Sequence, residues 1–403
     1  MTSAFRNASR YSLVVVLIMF LGLSGCENPG SLDRNIGDNR AEVVVDTLAI
    51  GDVSTHSFNF YSGGFQFISA GEFEDPLLGT LKATGLIKPA LPSGSEDTLT
   101  NDSEMMLRFK LDGGMAYGDS LAEQRFDVYE IDEVWRTESI KLQDDIVLDT
   151  EGGPLTSFPI GSTDSLDVPL PGEWVEKYRA FADTADADSV YARSAFGLAL
   201  VPSNSKKIIA PNVVNTKFVI QNPVEEDTFA VGLNEWAYLL ERNEKSLPSG
   251  LAAWHSTKEQ ILSFDFDFSS LDVEGTDISR AELVFYQDTE LMDQSLESQS
   301  SGVKRPKAKV AQLHLVDPDQ LPANIAPGDP LANGFYSTDD DAFHFEVTPQ
   351  VQRILAGDLA ENKKFVITLN NTGLIKTSII HTSTASTDKQ PKLIITSLKN
   401  NNK

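Results

Sequence analysis

The chain has 403 residues and a single cysteine, and 59 acidic residues against 33 basic ones give it a formal net charge of −26. One cysteine excludes an internal disulfide and any zinc site built from several cysteines. A surface this negative repels nucleic acid, so we expect no nucleic-acid partner. The hydrophobic content of 41% is normal for a globular chain, and the length leaves room for two domains.

The first 25 residues have the features of a secretory signal. Arg6 and Arg10 provide a positive start, and the apolar run over residues 13–23 is shorter than the roughly 20 residues that cross a bilayer. The run ends in the letters LSGC, and these resemble the lipobox of bacterial lipoproteins, with Cys26 as the modified residue. The resemblance implies cleavage before Cys26, diacylation of its sulfur and acylation of the new amino terminus, with palmitate as an expected acyl group.

Residues 26–41 are polar, rich in Gly, Pro and Asn, and free of hydrophobic periodicity. This composition is typical of a flexible tether. Several acyl chains on Cys26 would attach such a protein stably to a membrane. We therefore expect a protein anchored by lipid to the cell outer membrane, and the sequence leaves open whether its body faces the periplasm or the cell surface.

Beyond the tether, short β-type runs alternate with turn residues, which is typical of sandwiches and barrels. Residues 264–268 read FDFDF, so that a strand would place its phenylalanines on one face and its aspartates on the other. Residues 343–347 alternate in the same way. Helical periodicity is confined to residues 171–181 and 349–355, and each of these segments follows an alternating strand.

The same order of elements occurs twice along the chain. Residues 103–112 and 279–288 share Ser, Leu, Phe and Asp at one constant offset, and the strand before each predicted helix repeats at nearly the same offset. A repeat of this kind indicates a duplication. We predict an all-β protein of two tandem jelly-roll-like β-sandwich domains, residues 42–221 and 222–403, each with one short helix.

Several motifs resemble known families. A strand–loop–strand segment at 261–287, a VTP helix start within 343–357 and a final PKL strand within 390–398 resemble the DNRLRE-type domains of secreted and cell-surface proteins. With DPLLG at 75–79 and FDVYE at 126–130, the mature chain is similar to a Bacteroidota lipoprotein family of unknown function. Both resemblances imply jelly-roll-like sandwiches related in shape to carbohydrate-binding modules, and neither transfers a catalytic residue.

The mature sequence has no G-x-S-x-G, G-x-x-x-x-G-K-[ST] or H-E-x-x-H motif, and its five histidines are scattered. We therefore predict no catalytic residue, no metal site and no cofactor, and we expect the protein not to be an enzyme. Two aspartate groups, Asp183 with Asp186 and Asp188, and residues 339–341, would suit calcium in their ligand type. Neither group has the spacing of an EF-hand loop.

Sugar binding requires exposed flat aromatic side chains with polar neighbours. Trp254 in AAWHS and Trp135 in EVWRTE lie in polar surroundings and are the candidate ligand-binding residues, whereas Trp174 fits the inner face of its helix. The leading hypothesis is a lipid-anchored cell-envelope protein that acts as a non-catalytic binding or structural module. The alternatives are a carbohydrate-binding surface lipoprotein and a glycan-active enzyme. The expected partners are the membrane, through the lipid, and either extracellular glycans or envelope proteins.

Overall fold

The computed structural model describes residues 42–51, 53–93, 98–111, 116–161, 165–268, 276–317, 319, 329–358 and 363–399. Cys26, the predicted signal sequence and the predicted tether lie outside these residues. Within the described ranges, no helix is long and apolar enough to cross a membrane.

The described chain is mostly β-strand, and its strands pair in antiparallel fashion, which confirms the predicted all-β class. The strands are β1 (Glu42–Ala49), β2 (Ser54–Ser57), β3 (Ala70–Asp75), β4 (Gly79–Pro89), β5 (Glu104–Lys110), β6 (Tyr117–Asp119), β7 (Gln124–Ile131), β8 (Leu148–Asp149), β9 (Thr156–Ile160), β10 (Ser165–Pro169), β11 (Leu198–Asn204), β12 (Lys207–Ile209), β13 (Lys217–Asn222), β14 (Asp227–Val231), β15 (Leu233–Glu244), β16 (Leu251–His255), β17 (Gln260–Phe264), β18 (Thr276–Tyr286), β19 (Val303–Lys304), β20 (Val310–Val316), β21 (Ala332–Ser337), β22 (Ala342–Glu346), β23 (Lys364–Leu369), β24 (Thr377–His381) and β25 (Lys392–Lys399).

The helices are short. They are α1 (Gly172–Ala182), α2 (Ala187–Ala192), α3 (Thr289–Gln294) and α4 (Thr348–Leu355), with one 3₁₀ turn at Val213–Asn215. α1 and α4 match the two predicted helices. α2 and α3 have six residues each, too few for helical periodicity to show in the sequence. The prediction of one helix per half is therefore wrong, since each half has two in its described part.

The strands form four sheets, which we call A to D. Sheet A has the order β1-β25-β18-β22-β21-β20-β23-β17-β2, and sheet C has the order β10-β5-β13-β14. Sheet B has the order β19-β6-β12-β3-β4-β11-β7-β8, with β15 added to β4 and β9 added to β7. Sheet D is the pair β16-β24.

The two alternating runs found in the sequence have different outcomes. β22 forms as predicted, with Phe343 and Phe345 buried. In residues 264–268 the predicted faces are confirmed, because the aspartates are exposed and the phenylalanines pack on the core. The strand itself ends earlier, since β17 pairs with its neighbours only as far as Phe264.

Strand pairing crosses residue 222, where the sequence predicts the domain boundary. β14 and β15 follow that residue, yet β14 pairs with β13 of sheet C and β15 pairs with β4 of sheet B. In the other direction, β1 and β2 pair with β25 and β17 of sheet A. β19 also follows residue 222, and it pairs with β6 of sheet B. A cut at residue 222 would therefore separate five of the described strands from their partners, so hydrogen-bonded ladders link the two predicted halves.

Two large apolar cores lie under the sheets. The first joins residues of sheets B and C with α1, whose Trp174 stacks on Phe196 with ring centroids 4.8 Å apart. The second lies under sheet A and includes Trp254, Phe285 and Phe343. Burial of this apolar surface provides the main stabilisation of the fold.

The DPLLG motif forms the turn between β3 and β4. Asp75 Oδ1 accepts hydrogen bonds from the backbone N–H groups of Leu77 and Leu78 at 2.8 and 2.9 Å. Gly79 then adopts a φ of +88°, and a Cβ there would lie 1.9 Å from the Asn243 carbonyl oxygen. Only glycine permits both this backbone angle and this close approach of β15. The motif therefore fixes how β15 joins sheet B.

Candidate functional site

Both tryptophans predicted to bind sugar are buried, so their expected exposure is wrong. Trp135 is 3% exposed and donates from Nε1 to the Phe196 carbonyl oxygen at 3.2 Å. Trp254 is 0% exposed and packs edge-on against Phe343 with ring centroids 5.3 Å apart. An indole gains so much from burying its apolar area that polar sequence neighbours do not keep it at the surface. Neither ring can stack on a ligand from solvent.

The first of the two aspartate groups that would suit calcium spans the junction of α1 and α2, with Asp188 inside α2, and the second lies in the turn between β21 and β22. Asp183 ends α1 and Asp186 precedes α2, whereas Asp340 lies between β21 and β22 and faces His344 Nε2 at 3.0 Å. In the part of the chain that the structure describes, neither group brings three carboxylates within ligand distance of one another. Among the described residues, the one set of histidine and carboxylate side chains that does converge is Glu244, His255 and Glu259, which sequence spacing did not reveal.

A buried ion pair joins the two halves near this set. Arg305 donates from Nε and Nη2 to the two carboxylate oxygens of Asp75 at 2.8 and 2.6 Å, and both side chains are at most 1% exposed. The Tyr117 hydroxyl donates to Asp75 Oδ2 at 2.8 Å, and Arg305 Nη1 donates to the Met292 carbonyl oxygen at 2.7 Å. Burial raises the pKa of Asp75, but the hydrogen bonds and charge of Arg305 outweigh it and hold that pKa below its ordinary value. The pair is a structural link between the halves.

The candidate site is a cavity of about 260 Å³ at the end of β15, where sheets A, B and D meet. It is open to solvent and is lined by Thr55, Leu78, Glu244, Lys245, Ser246, Leu247, Leu251, Ala252, Ala253, His255 and Gln260. Six of these eleven residues are polar or charged and five are apolar, so the wall offers both hydrogen-bonding groups and apolar surface to a ligand.

A carboxylate, an imidazole and a hydroxyl follow one another from the cavity wall into the core. Glu244 Oε1 lies 3.3 Å from His255 Nε2, and His255 Nδ1 lies 2.9 Å from Thr377 Oγ1. Gln260 Nε2 donates to both oxygens of Glu244 at 2.9 and 2.8 Å. The side chain of Glu244 is 40% exposed, whereas Thr377 is fully buried. The carboxylate therefore faces the cavity and the hydroxyl faces the core.

Burial and hydrogen bonding set the charges of this series. Burial lowers the pKa of His255, and the nearby charge of Arg242 lowers it further, so the imidazole is neutral at pH 7. The hydrogen bond with His255 lowers the pKa of Glu244 below its ordinary value, so the carboxylate is ionised. Neutral His255 satisfies both contacts when Nε2–H donates to Glu244 and Nδ1 accepts from Thr377.

A second carboxylate lies behind His255. Glu259 Oε1 accepts a hydrogen bond from Arg242 Nε, and both side chains are under 10% exposed. Arg242 Nε also lies 3.9 Å from Glu244 Oε1. The other two guanidinium nitrogens of Arg242 are buried without a hydrogen-bond partner. The cluster thus holds two carboxylates and one guanidinium.

Three histidines contact hydroxyl groups, which is the pairing that a nucleophilic mechanism requires. His56 Nε2 lies 2.7 Å from Ser263 Oγ, and His314 Nε2 lies 3.2 Å from Thr368 Oγ1. His255 with Thr377 is the third pair. All three hydroxyl-bearing residues are at most 2% exposed, so none of these oxygens is placed to attack a substrate from solvent.

A larger open groove of about 460 Å³ runs along the outer face of sheet B. Two of its polar side chains have partners: Lys82 donates to Glu241 at 3.0 Å, and Asp144 Oδ2 accepts from the backbone N–H of Lys141 at 2.8 Å. It lacks a histidine, and its ion pair is exposed. The cavity at Glu244 is therefore the stronger candidate.

No family model and no curated protein matches the chain. Comparison with solved structures gives the Macrobrachium rosenbergii nodavirus at 13% identity and a TM-score of 0.09, covering 92% of this chain and 95% of that one. The VP2 subviral particle of infectious bursal disease virus is 10% identical with a TM-score of 0.12, over 89% of this chain and 76% of that one. Likeness at these TM-scores carries no argument about fold or function.

Proposed function

We propose that this chain is a lipid-anchored cell-envelope protein of the outer membrane and that its body is a non-catalytic binding module. The proposed ligand site is the cavity at Glu244. We also propose that its sheets form tandem jelly-roll-like sandwiches, as the DNRLRE-type and Bacteroidota lipoprotein resemblances imply. The proposed anchor is lipid on Cys26, which the lipobox resemblance supports.

The orientation of the Glu244–His255–Thr377 series carries the binding proposal. A catalytic series of this type presents its hydroxyl to the substrate and keeps its carboxylate behind the histidine. Here the order is reversed, because Glu244 lies on the cavity wall and Thr377 is fully buried. An ionised carboxylate fixed by His255 and Gln260 is suited to hold a cation or a hydrogen-bond donor. The carbohydrate alternative is not proposed, because Trp135 and Trp254 are buried.

A retention experiment tests the binding role. The purified full chain is incubated with an extract of the envelope of the cells that produce it, and the small molecules that it retains are identified by mass spectrometry. Ala253→Trp, which fills the cavity, should abolish retention, whereas Leu121→Trp at a 67% exposed position should not. Equal retention by both variants would contradict the site, and chemical conversion of the retained compound would contradict a non-catalytic role.

The anchor is tested separately. Cys26→Ser should leave an uncleaved precursor that takes up no labelled fatty acid. Lipid labelling that persists in this variant would refute the proposed attachment, because Cys26 is the chain's single cysteine.

A further inference from the structure

Three side chains bring donor atoms together beside the cavity: Glu244 and His255 line its wall, and Glu259 lies behind His255. One oxygen each of Glu244 and Glu259 and a ring nitrogen of His255 all lie within 4.8 Å of one another. Imidazole nitrogen with carboxylate oxygen suits zinc and neighbouring transition metals, whereas calcium and magnesium take oxygen ligands. We propose that Glu244, His255 and Glu259 bind one divalent transition-metal ion, with zinc as the reference ion. This inference rests on the proposed role of the cavity as a ligand site.

The contacts of the two ring nitrogens of His255 suit a histidine that binds a metal ion through Nε2. Its Nδ1 lies 2.9 Å from Thr377 Oγ1, and a hydroxyl accepts a hydrogen bond from Nδ1–H as well as it donates one. When Thr377 Oγ1 accepts a hydrogen bond from Nδ1–H, Nε2 carries no proton. Its lone pair then lies on the side of the ring where Glu244 Oε1 is 3.3 Å away. Ligating histidines use their second nitrogen in this way, which fixes the ring and raises its basicity.

The local charges favour a cation, and they also limit its affinity. Glu244 and Glu259 contribute two negative charges, and Arg242 offsets one of them through its bond to Glu259 Oε1. A carboxylate has about four lone-pair positions, so Glu259 can serve Arg242 and a metal ion together. Arg242 Nε also lies 3.9 Å from Glu244 Oε1, and its repulsion of a cation makes this site weaker than a closed structural zinc site.

The cavity provides the remaining coordination position. Glu244 and His255 line its wall, so an ion from solvent reaches them without disruption of the core. Gln260 fixes both oxygens of Glu244 at 2.9 and 2.8 Å and thereby orients the most exposed ligand. Three protein ligands with one open position match the coordination of non-structural zinc sites, in which water or a ligand completes the tetrahedron.

Calorimetric titration of the full-length chain in detergent with zinc chloride tests the site. We expect one saturable site whose zinc affinity falls about tenfold or more in Glu244→Gln. Glu241→Gln is the matched control, because it removes an exposed carboxylate from the same strand and should leave zinc affinity unchanged. Glu244 is the residue of choice because its side chain is 40% exposed, so its replacement spares the core.

Cobalt(II) gives a second readout of the same site. Tetrahedral nitrogen and oxygen ligands should produce visible absorption bands in the wild-type chain and in Glu241→Gln, and these bands should be lost in Glu244→Gln. Absence of saturable zinc binding, equal zinc affinity in the two variants, or equal affinity for calcium and zinc would each overturn the inference. If Ala253→Trp no longer retains the small molecule but the wild-type chain binds no zinc, the metal-site inference is overturned and the proposed function stands.

Discussion

Replacement of Arg305 by methionine should destabilise the protein far more than replacement of a surface lysine. The change leaves the fully buried Asp75 carboxylate with three donors: the Tyr117 hydroxyl and the backbone N–H groups of Leu77 and Leu78. Removal of one member of a buried ion pair costs about 3–5 kcal/mol. Because these three donors remain, we expect a loss near the lower end, about 3 kcal/mol of the free energy of unfolding.

Urea unfolding followed by tryptophan fluorescence measures this loss. Lys82→Met is the control, since the Lys82–Glu241 pair is partly exposed and such pairs contribute less than about 1 kcal/mol. The double variant Asp75→Asn/Arg305→Met should recover part of the loss, because asparagine keeps a carbonyl oxygen for the two backbone donors without a buried charge. If Arg305→Met lowered the free energy of unfolding no more than Lys82→Met does, the Asp75–Arg305 ion pair would not stabilise the contact between the two halves as its geometry indicates.

Three further predictions concern stability. Burial lowers the pKa of Lys88 to about 8. Above pH 8 the unfolded chain therefore binds more protons than the folded chain, so the contribution of Lys88 to the free energy of unfolding rises with pH, by at most about 1.4 kcal/mol per pH unit. Urea unfolding at pH 7.5, 8.5 and 9.5 should show a steeper rise in the wild type than in Lys88→Met, in which Lys207, Lys258 and Lys376 still have lowered pKa values, and equal slopes would contradict it. Gly79→Ala should cost about 1–3 kcal/mol or more, because the +88° φ and the Asn243 carbonyl exclude a Cβ; a thermal unfolding midpoint equal to the wild type would refute this. Trp254→Ala should cost about 3–5 kcal/mol in urea unfolding, and Val224→Ala at a 79% exposed position should cost little; equal losses would contradict the burial of Trp254.

Local patterns predicted the local structure of this chain. β22, α1 and α4 have enough alternation or periodicity within a few residues to be recognised, and the phenylalanine face of residues 264–268 follows from the same rule. In each case the deciding interactions lie within the segment itself or in the burial of one of its faces.

Such local patterns do not predict which strands pair when they are far apart in the sequence. β15 runs beside β4 although some 150 residues separate them along the chain, and neither strand has a local signal that names its partner. The candidate site also depends on a long-range contact. His255 is close to Glu244 and Glu259 in sequence, but its ring is oriented by Thr377, which is 122 residues away. Trp254, which the sequence predicted to bind sugar, is buried, and its neighbour His255 is the residue that lines the cavity.

The position of β1 determines how a mechanical load would enter the protein. β1 is the first described strand, it lies at the edge of sheet A, and its eight residues pair with β25 from Glu42 with Lys399 to Ala49 with Lys392. Tension applied at the N-terminal end of the body would therefore act first on this single ladder. If the pull is directed away from the sheet, the ladder opens one pair at a time from Glu42. The first strand would then detach while the cores of sheets A and B remain folded, so β1 would be the first element to open under a load from the proposed lipid anchor.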